Sequence, residues 1–179
     1  MKKIVIMIIT AMLLVAMPAF AYQSLQEVFD QANGNDEYHK YIQLDPGMEY
    51  HGDLEIPPGL DVCIEGNGAI IWGLDSHKAI RVLASRLDIS NCIVIGGNYG
   101  IHFDTMSTGS ISNNTIVGCN YAGITVWFHD FNASMEIWDN IIIEGQVGLF
   151  CVEAQHPDYI GYNTVYNTDG HRYAEYCYG

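Results

Sequence analysis

The chain has 179 residues, a formal charge of −14 at pH 7, and seven Lys and Arg against 21 Asp and Glu. So negative a field excludes nucleic acid, whose binding rests on cationic neutralisation of phosphate, and excludes anionic lipid surfaces for the same reason. Five cysteines (Cys63, Cys92, Cys119, Cys151, Cys177) lie at wide spacings with no Cys-x-x-Cys pair, which excludes zinc knuckles and thioredoxin-type redox motifs.

Residues 1–21 read as an export signal. Lys2 and Lys3 form a basic start, Ile4 to Met17 is apolar, and Ala19-Phe20-Ala21 supplies the small-x-small cleavage pattern, with cleavage expected after Ala21. The apolar run is shorter than the roughly 20 residues a spanning helix needs. The expectation is a mature chain without a membrane span, secreted, periplasmic or on the cell surface. Loss of the two lysines takes the charge from −14 to −16. Export permits disulfides, but an odd count leaves at least one thiol unpaired in a monomer.

Residues 22–36 predict a short amphipathic helix. Ser24 and Glu27 make a capping box, while Leu25, Val28, Phe29 and Ala32 fall on one apolar stripe that Gly34 ends. Such a helix suits the open end of a repeat stack. The rest, 37–179, reads as that stack. After two Pro-Gly turns, the phrase Ile-x-x-(Asn or Cys)-x-(Ile or Val) recurs from Ile89, Ile111, Ile137 and Ile160, with a looser copy from Ile64. The steps are 25, 22, 26 and 23 residues, the spacing of stacked supersecondary units. A second phrase follows the first in each middle coil, at Gly100, Gly123 and Gly148, with Ala79 as its counterpart above. Short Ile- and Val-rich runs bounded by Gly, Asn and Asp are strands. The predicted fold is all-β: a right-handed parallel β-helix of five to six coils with an N-terminal capping helix. Asn67, Cys92, Asn114, Asn140 and Asn163 are its expected ladder, the asparagine amides lined up along the axis at a recurring turn that needs left-handed backbone, with the small Cys92 thiol replacing the amide in one coil.

The stretches "SLQEVFDQA", "YIQLDPGMEYHGDLEI" and "VCIEGNGAIIWG", followed by Asn-bearing coils, resemble the right-handed parallel β-helix proteins of the pectin-lyase-like superfamily. The resemblance spans nearly all of the mature chain and implies carbohydrate as ligand. It implies no particular activity, because lyases, hydrolases, esterases, tailspikes and adhesins share this fold.

Registering the second phrases places Arg81, His102, Thr125 and Phe150 in one outward column, and Leu83, Asp104, Trp127 and Val152 in the next. Asp104, His129, Asp130 and Glu153 then gather on one edge as candidate catalytic groups, since a carboxylate pair about 5 to 9.5 Å apart hydrolyses glycosides. Trp127, Tyr121 and His102 are the candidate sugar-binding residues. Asp104, Asp130, Glu153 and His156 would suit a divalent cation such as calcium, though no cofactor is expected. "VWFHDF" resembles the Val-Trp-Ile-Asp-His stretch of pectate lyases with His and Asp reversed, and polygalacturonase signatures are missing. The expected function is therefore an exported module that recognises carbohydrate or serves the cell envelope. A polysaccharide hydrolase or lyase is the alternative, and a structural or adhesive repeat protein the third. The aromatic C-terminal end is an expected surface for self-association.

Overall fold

The computed structural model describes residues 22–74, 77–127, 134–152, 157–166 and 171–173. The leader stretch 1–21 lies outside them, and no helix among the described residues is long and apolar enough to cross a membrane. The chain winds as a right-handed parallel β-helix of about six turns, whose three sheets run the length of the stack. Each coil visits them in the same order. Sheet I begins at Lys40–Gln43, sheet II gains Glu49–His51 and sheet III begins at Leu54–Ile56.

Registry is what makes the core. Ile42, Ile64, Ile89, Ile111, Ile137 and Ile160 are successive partners on sheet I. Leu54, Ile80, Ile101, Ile124 and Leu149 do the same on sheet III. All are buried except Ile160, which is 37 % exposed. Its strand, Tyr159–Gly161, is the last of sheet I among the described residues, which leaves that isoleucine at the end of the column. Every residue pair along a strand turns one side chain in and one out, so the aliphatic half fills a single hollow. Gly100 keeps a corner of it tight: a Cβ there would meet the Gly123 carbonyl at 2.5 Å and the Ile116 side chain at 2.9 Å.

The helix Leu25–Gln31 closes the N-terminal end. Ser24 caps it, its Oγ accepting from the Glu27 N–H at 3.3 Å, and Leu25 and Phe29 are buried against the first coil. Lys40 Nζ donates to the carbonyls of Asp30 and Ala32, satisfying the helix's open C-terminal acceptors.

Between sheets I and II, a turn of two residues holds the amide ladder. Asn140 Oδ1 accepts from the Asn114 N–H at 3.0 Å, and Asn163 Oδ1 accepts from the Asn140 N–H at 3.0 Å. The Asn114 and Asn140 amides also donate to the next side chain down, at 3.2 and 2.9 Å, and Asn114 Oδ1 accepts from Cys92 N–H at 2.9 Å. Two details differ from the sequence reading. The left-handed residue is the one before each ladder position (Asn91, Asn113, Asp139 and Tyr162), not the ladder residue itself. Asn67 is not in the ladder slot either. Its coil has a four-residue turn, so Ala69 occupies the slot, while Asn67 takes the left-handed conformation and donates to Leu44 O at 3.1 Å.

Asn140→Ala leaves the buried Asn114 N–H without its acceptor and removes three donations from Asn140 to Ile111, Trp138 and Asn163. The expected loss is about 2–4 kcal/mol in chemical denaturation, against under about 1 kcal/mol for Asn67→Gly, which keeps the left-handed turn and loses one hydrogen bond.

Candidate functional site

The outward column of sheet III registers as Glu55, Arg81, His102, Thr125 and Phe150. Outward here does not mean wet. His102 is 2 % exposed and Thr125 is fully buried, because aromatic rings close over the column. The His102 ring meets Tyr99 at 5.2 Å and Trp127 at 5.5 Å; Tyr121 meets Tyr99 at 5.2 Å and Phe150 at 5.7 Å. The interplanar angles, 59° to 86°, are tilted or edge-to-face. These rings turn their faces to one another rather than presenting a flat platform.

The structure therefore brings four of the sequence candidates together: Asp104, His102, Trp127 and Tyr121. His129, Asp130, Glu153 and His156 lie outside the described residues. Sequence reasoning assigned no role to Tyr99 and Arg81. For Tyr99 a signal was present, since "NYG" at Asn98 and "NYAG" at Asn120 repeat one phrase on adjacent coils.

Arg81 sits at the centre of the charges. Its Nη2 and Nε donate to Asp104 Oδ2 at 2.7 and 3.2 Å, and its Nη1 donates to Glu55 at 3.1 Å. Burial alone would raise the Asp104 carboxyl, but the Arg81 hydrogen bonds and the Thr105 N–H outweigh it and hold it below the usual range. Burial, with Lys78 and Arg81 adding to it, pushes the His102 imidazole down to about 4, against the opposing pull of Asp104. His102 Nε2 lies 3.9 Å from Asp104 Oδ2. Its other nitrogen, Nδ1, is buried without a hydrogen-bond partner, as is Thr125 Oγ1. A polar shell with orphaned atoms is rare, because each costs about 1–3 kcal/mol.

The thiols are a weaker resource. Burial pushes Cys92 and Cys119 up to about 12, and Cys63 up to about 11 with Glu65 adding, so none offers a thiolate at neutral pH. Among the described residues no three His, Cys, Asp or Glu side chains come within reach of one ion.

A three-sheet parallel solenoid with a helix cap, an amide ladder and a covered histidine on one face defines a β-helix repeat protein. Residues 61–176 match the family model for "Periplasmic copper-binding protein (NosD)", and the chain belongs to that family. No curated protein and no solved structure matches the chain.

Because His102 has a lower pKa folded than unfolded, the unfolded chain takes up its proton first as pH falls. The stability that His102 contributes is complete above about 6.5 and is lost between that value and about 4. Urea denaturation across this window is expected to show the slope, and His102→Gln to flatten it.

Proposed function

We propose that the chain is an exported binding module of copper handling, with His102 as the metal-facing group on sheet III. The observation that carries this reading is the unpartnered Nδ1 of a buried imidazole with a carboxylate behind its other nitrogen. With the proton on Nε2, toward Asp104, the Nδ1 lone pair is left over. At 3.9 Å the Asp104 oxygen acts on the ring by charge and not by a hydrogen bond, since Arg81 donates to that same oxygen. The depressed pKa keeps the ring neutral across the ordinary pH range, so a metal need not displace a proton. The family description, a periplasmic copper-binding protein, and the leader-like residues 1–21 support the same reading.

Imidazole suits copper; calcium asks for six or more oxygens, and Asp104 is already committed to Arg81. Copper here is cargo. One imidazole is a single ligand, so the remaining donors come from outside the set of described residues or from the molecule that brings or takes the metal. Hydrolysis is supported less well: a carboxylate held ionised by Arg81 cannot serve as the protonated member of a glycosidase pair. The edge-to-face packing of Tyr99, Tyr121, Trp127 and Phe150 likewise favours a cover for His102 over a sugar platform at this face.

Competition titration of the whole mature chain against a copper chelator is the test. His102→Ala should weaken copper binding by tenfold or more, roughly the 1.4 kcal/mol or greater that one lost ligand represents. Lys78→Gln should leave it within about twofold, a difference near the noise of such measurements. Equal affinity in wild type and His102→Ala would remove the proposal.

A further inference from the structure

The corner where sheet II passes into sheet III holds a cavity that copper handling does not use. It is a pocket of about 290 Å³ whose lining includes Asp53, Glu55, Lys78, Arg81, Asn98 and Tyr99. Small-ligand sites run from roughly 300 to 1,000 Å³, so this one suits a small molecule and not a polymer.

Three successive coils build it at the same point of their winding. Asp53 comes just before the strand Leu54–Ile56, Lys78 opens Lys78–Val82, and Asn98 comes just before Tyr99–Phe103. Leu54 pairs with Ile80 and Tyr99 with Lys78, so the three positions stand on neighbouring rungs about 4.8 Å apart. Backbone hydrogen bonds fix the turns that carry them. Gly52 N–H donates to Trp72 O at 2.8 Å, and Asn98 N–H donates to His77 O at 2.7 Å. A lining tied from coil to coil loses little freedom when a ligand arrives.

The charges here are incompletely matched. Arg81 is held by Asp104 and Glu55, Arg86 by Asp88 and Glu37, and Lys40 by two helix carbonyls. Lys78 differs. Its half-buried ammonium lies over the Tyr99 ring, 5.4 Å from the centroid, and its side chain makes no hydrogen bond or ion pair among the described residues. Burial, with Arg81 adding to it, lowers the pKa of that ammonium, as happens where the fold supplies no close counter-charge. Asp53 is the counterpart of opposite sign. It sits exposed on left-handed backbone, φ 58°, and its carboxylate has no hydrogen bond or ion pair among the described residues. The groove of about 480 Å³ on the outer face of sheet I lacks this feature, because its Arg86 is already paired with Asp88.

The spare charges select among ligands. A lone anion would satisfy Lys78 but meet Asp53 and Glu55, in a chain of charge −14. A lone cation would meet Lys78 and Arg81. A neutral molecule leaves both spare charges to water. A small zwitterion satisfies both at once, its carboxylate accepting from Lys78 and the Asn98 amide, its ammonium donating to Asp53. Charge-assisted hydrogen bonds of this kind are the strong ones.

We propose that this pocket binds a free α-amino acid, carboxylate on Lys78 and Asn98 and ammonium on Asp53, with the Tyr99 ring bounding the space for its side chain. The inference is independent of the copper reading. The test is calorimetric titration of the whole mature chain with glycine, L-alanine, L-serine and L-glutamine. Metal is removed beforehand, because amino acids chelate copper. Propionate and ethylamine are the comparators, each keeping one of alanine's two charges. At least one amino acid should bind, and more tightly than either comparator. Lys78→Gln should weaken it about tenfold or more, as loss of a charge-assisted hydrogen bond does. Asp53→Asn should weaken it several-fold, and it decides the matter if Lys78→Gln does not fold, since asparagine tolerates the same left-handed backbone. Glu136→Gln, on sheet I, should bind as wild type does. The proposal fails if no amino acid binds at millimolar concentration, if propionate or ethylamine binds as tightly as the amino acids, or if either pocket variant binds them unchanged. Copper titration of Lys78→Gln separates the two sites, since that variant should lose the amino acid and keep the metal.

Discussion

Coil-on-coil registry governs this molecule. A β-strand alternates its side chains, so a slip of one residue in any rung would send an isoleucine to solvent and a charged neighbour into the hollow. Two independent devices oppose that slip. The stacked aliphatic columns favour one alignment by burial, and the Asn114, Asn140 and Asn163 amides favour the same one by directed hydrogen bonds. The amides matter more than their number suggests. Burial is non-directional and tolerates small shifts, whereas an acceptor moved by one residue leaves a buried N–H bare.

The polar columns on sheets III and I both follow from this registry rather than from loops. Arg81, His102 and Thr125 are neighbours because their strands are partners, and so are Asp88, Ser110 and Glu136. Groups on a stacked sheet are spaced by the hydrogen-bond repeat, which holds them to one geometry more firmly than a surface loop would. The two faces use that rigidity differently. On sheet III, rings close over the column and leave His102 dry. On sheet I, Trp138 lines an open groove.

The amount legible in the sequence tracks this division. The coil spacing, the cap helix and the columns of sheet III could be read because aliphatic periodicity reports which residues point inward. The ladder slot in the first full coil could not, since the pattern was anchored on Asn67 and the turn there holds two more residues than in later coils. Burial of His102 was hidden for a different reason. An outward position in an alternating strand reads as solvent, and only the packing of Tyr99 and Trp127 against it shows otherwise. Arg81 fell in the right column, but nothing in a one-dimensional pattern says that it takes the charge of Asp104 out of play. The groove on sheet I leaves no mark in one dimension, because its members, Tyr38, Asp88, Ser110, Glu136 and Trp138, are spread over a hundred residues and share no motif.

Electrostatics at His102 favour one kind of metal over another. The chain is strongly acidic, yet Lys78 and Arg81 stand beside this imidazole, and both lower its affinity for a proton. Arg81 is offset by Asp104 and Glu55, while Lys78 lies over the Tyr99 ring. A hard cation is held mainly by charge and would find little here to hold it. A softer ion bound by donation from a nitrogen lone pair depends less on the local field and more on a dry, fixed, neutral ligand. On the proposed copper reading, the cations that make this position a poor place for a proton or for calcium would do less harm to a nitrogen-bound copper, and the aromatic cover would keep water from competing for Nδ1.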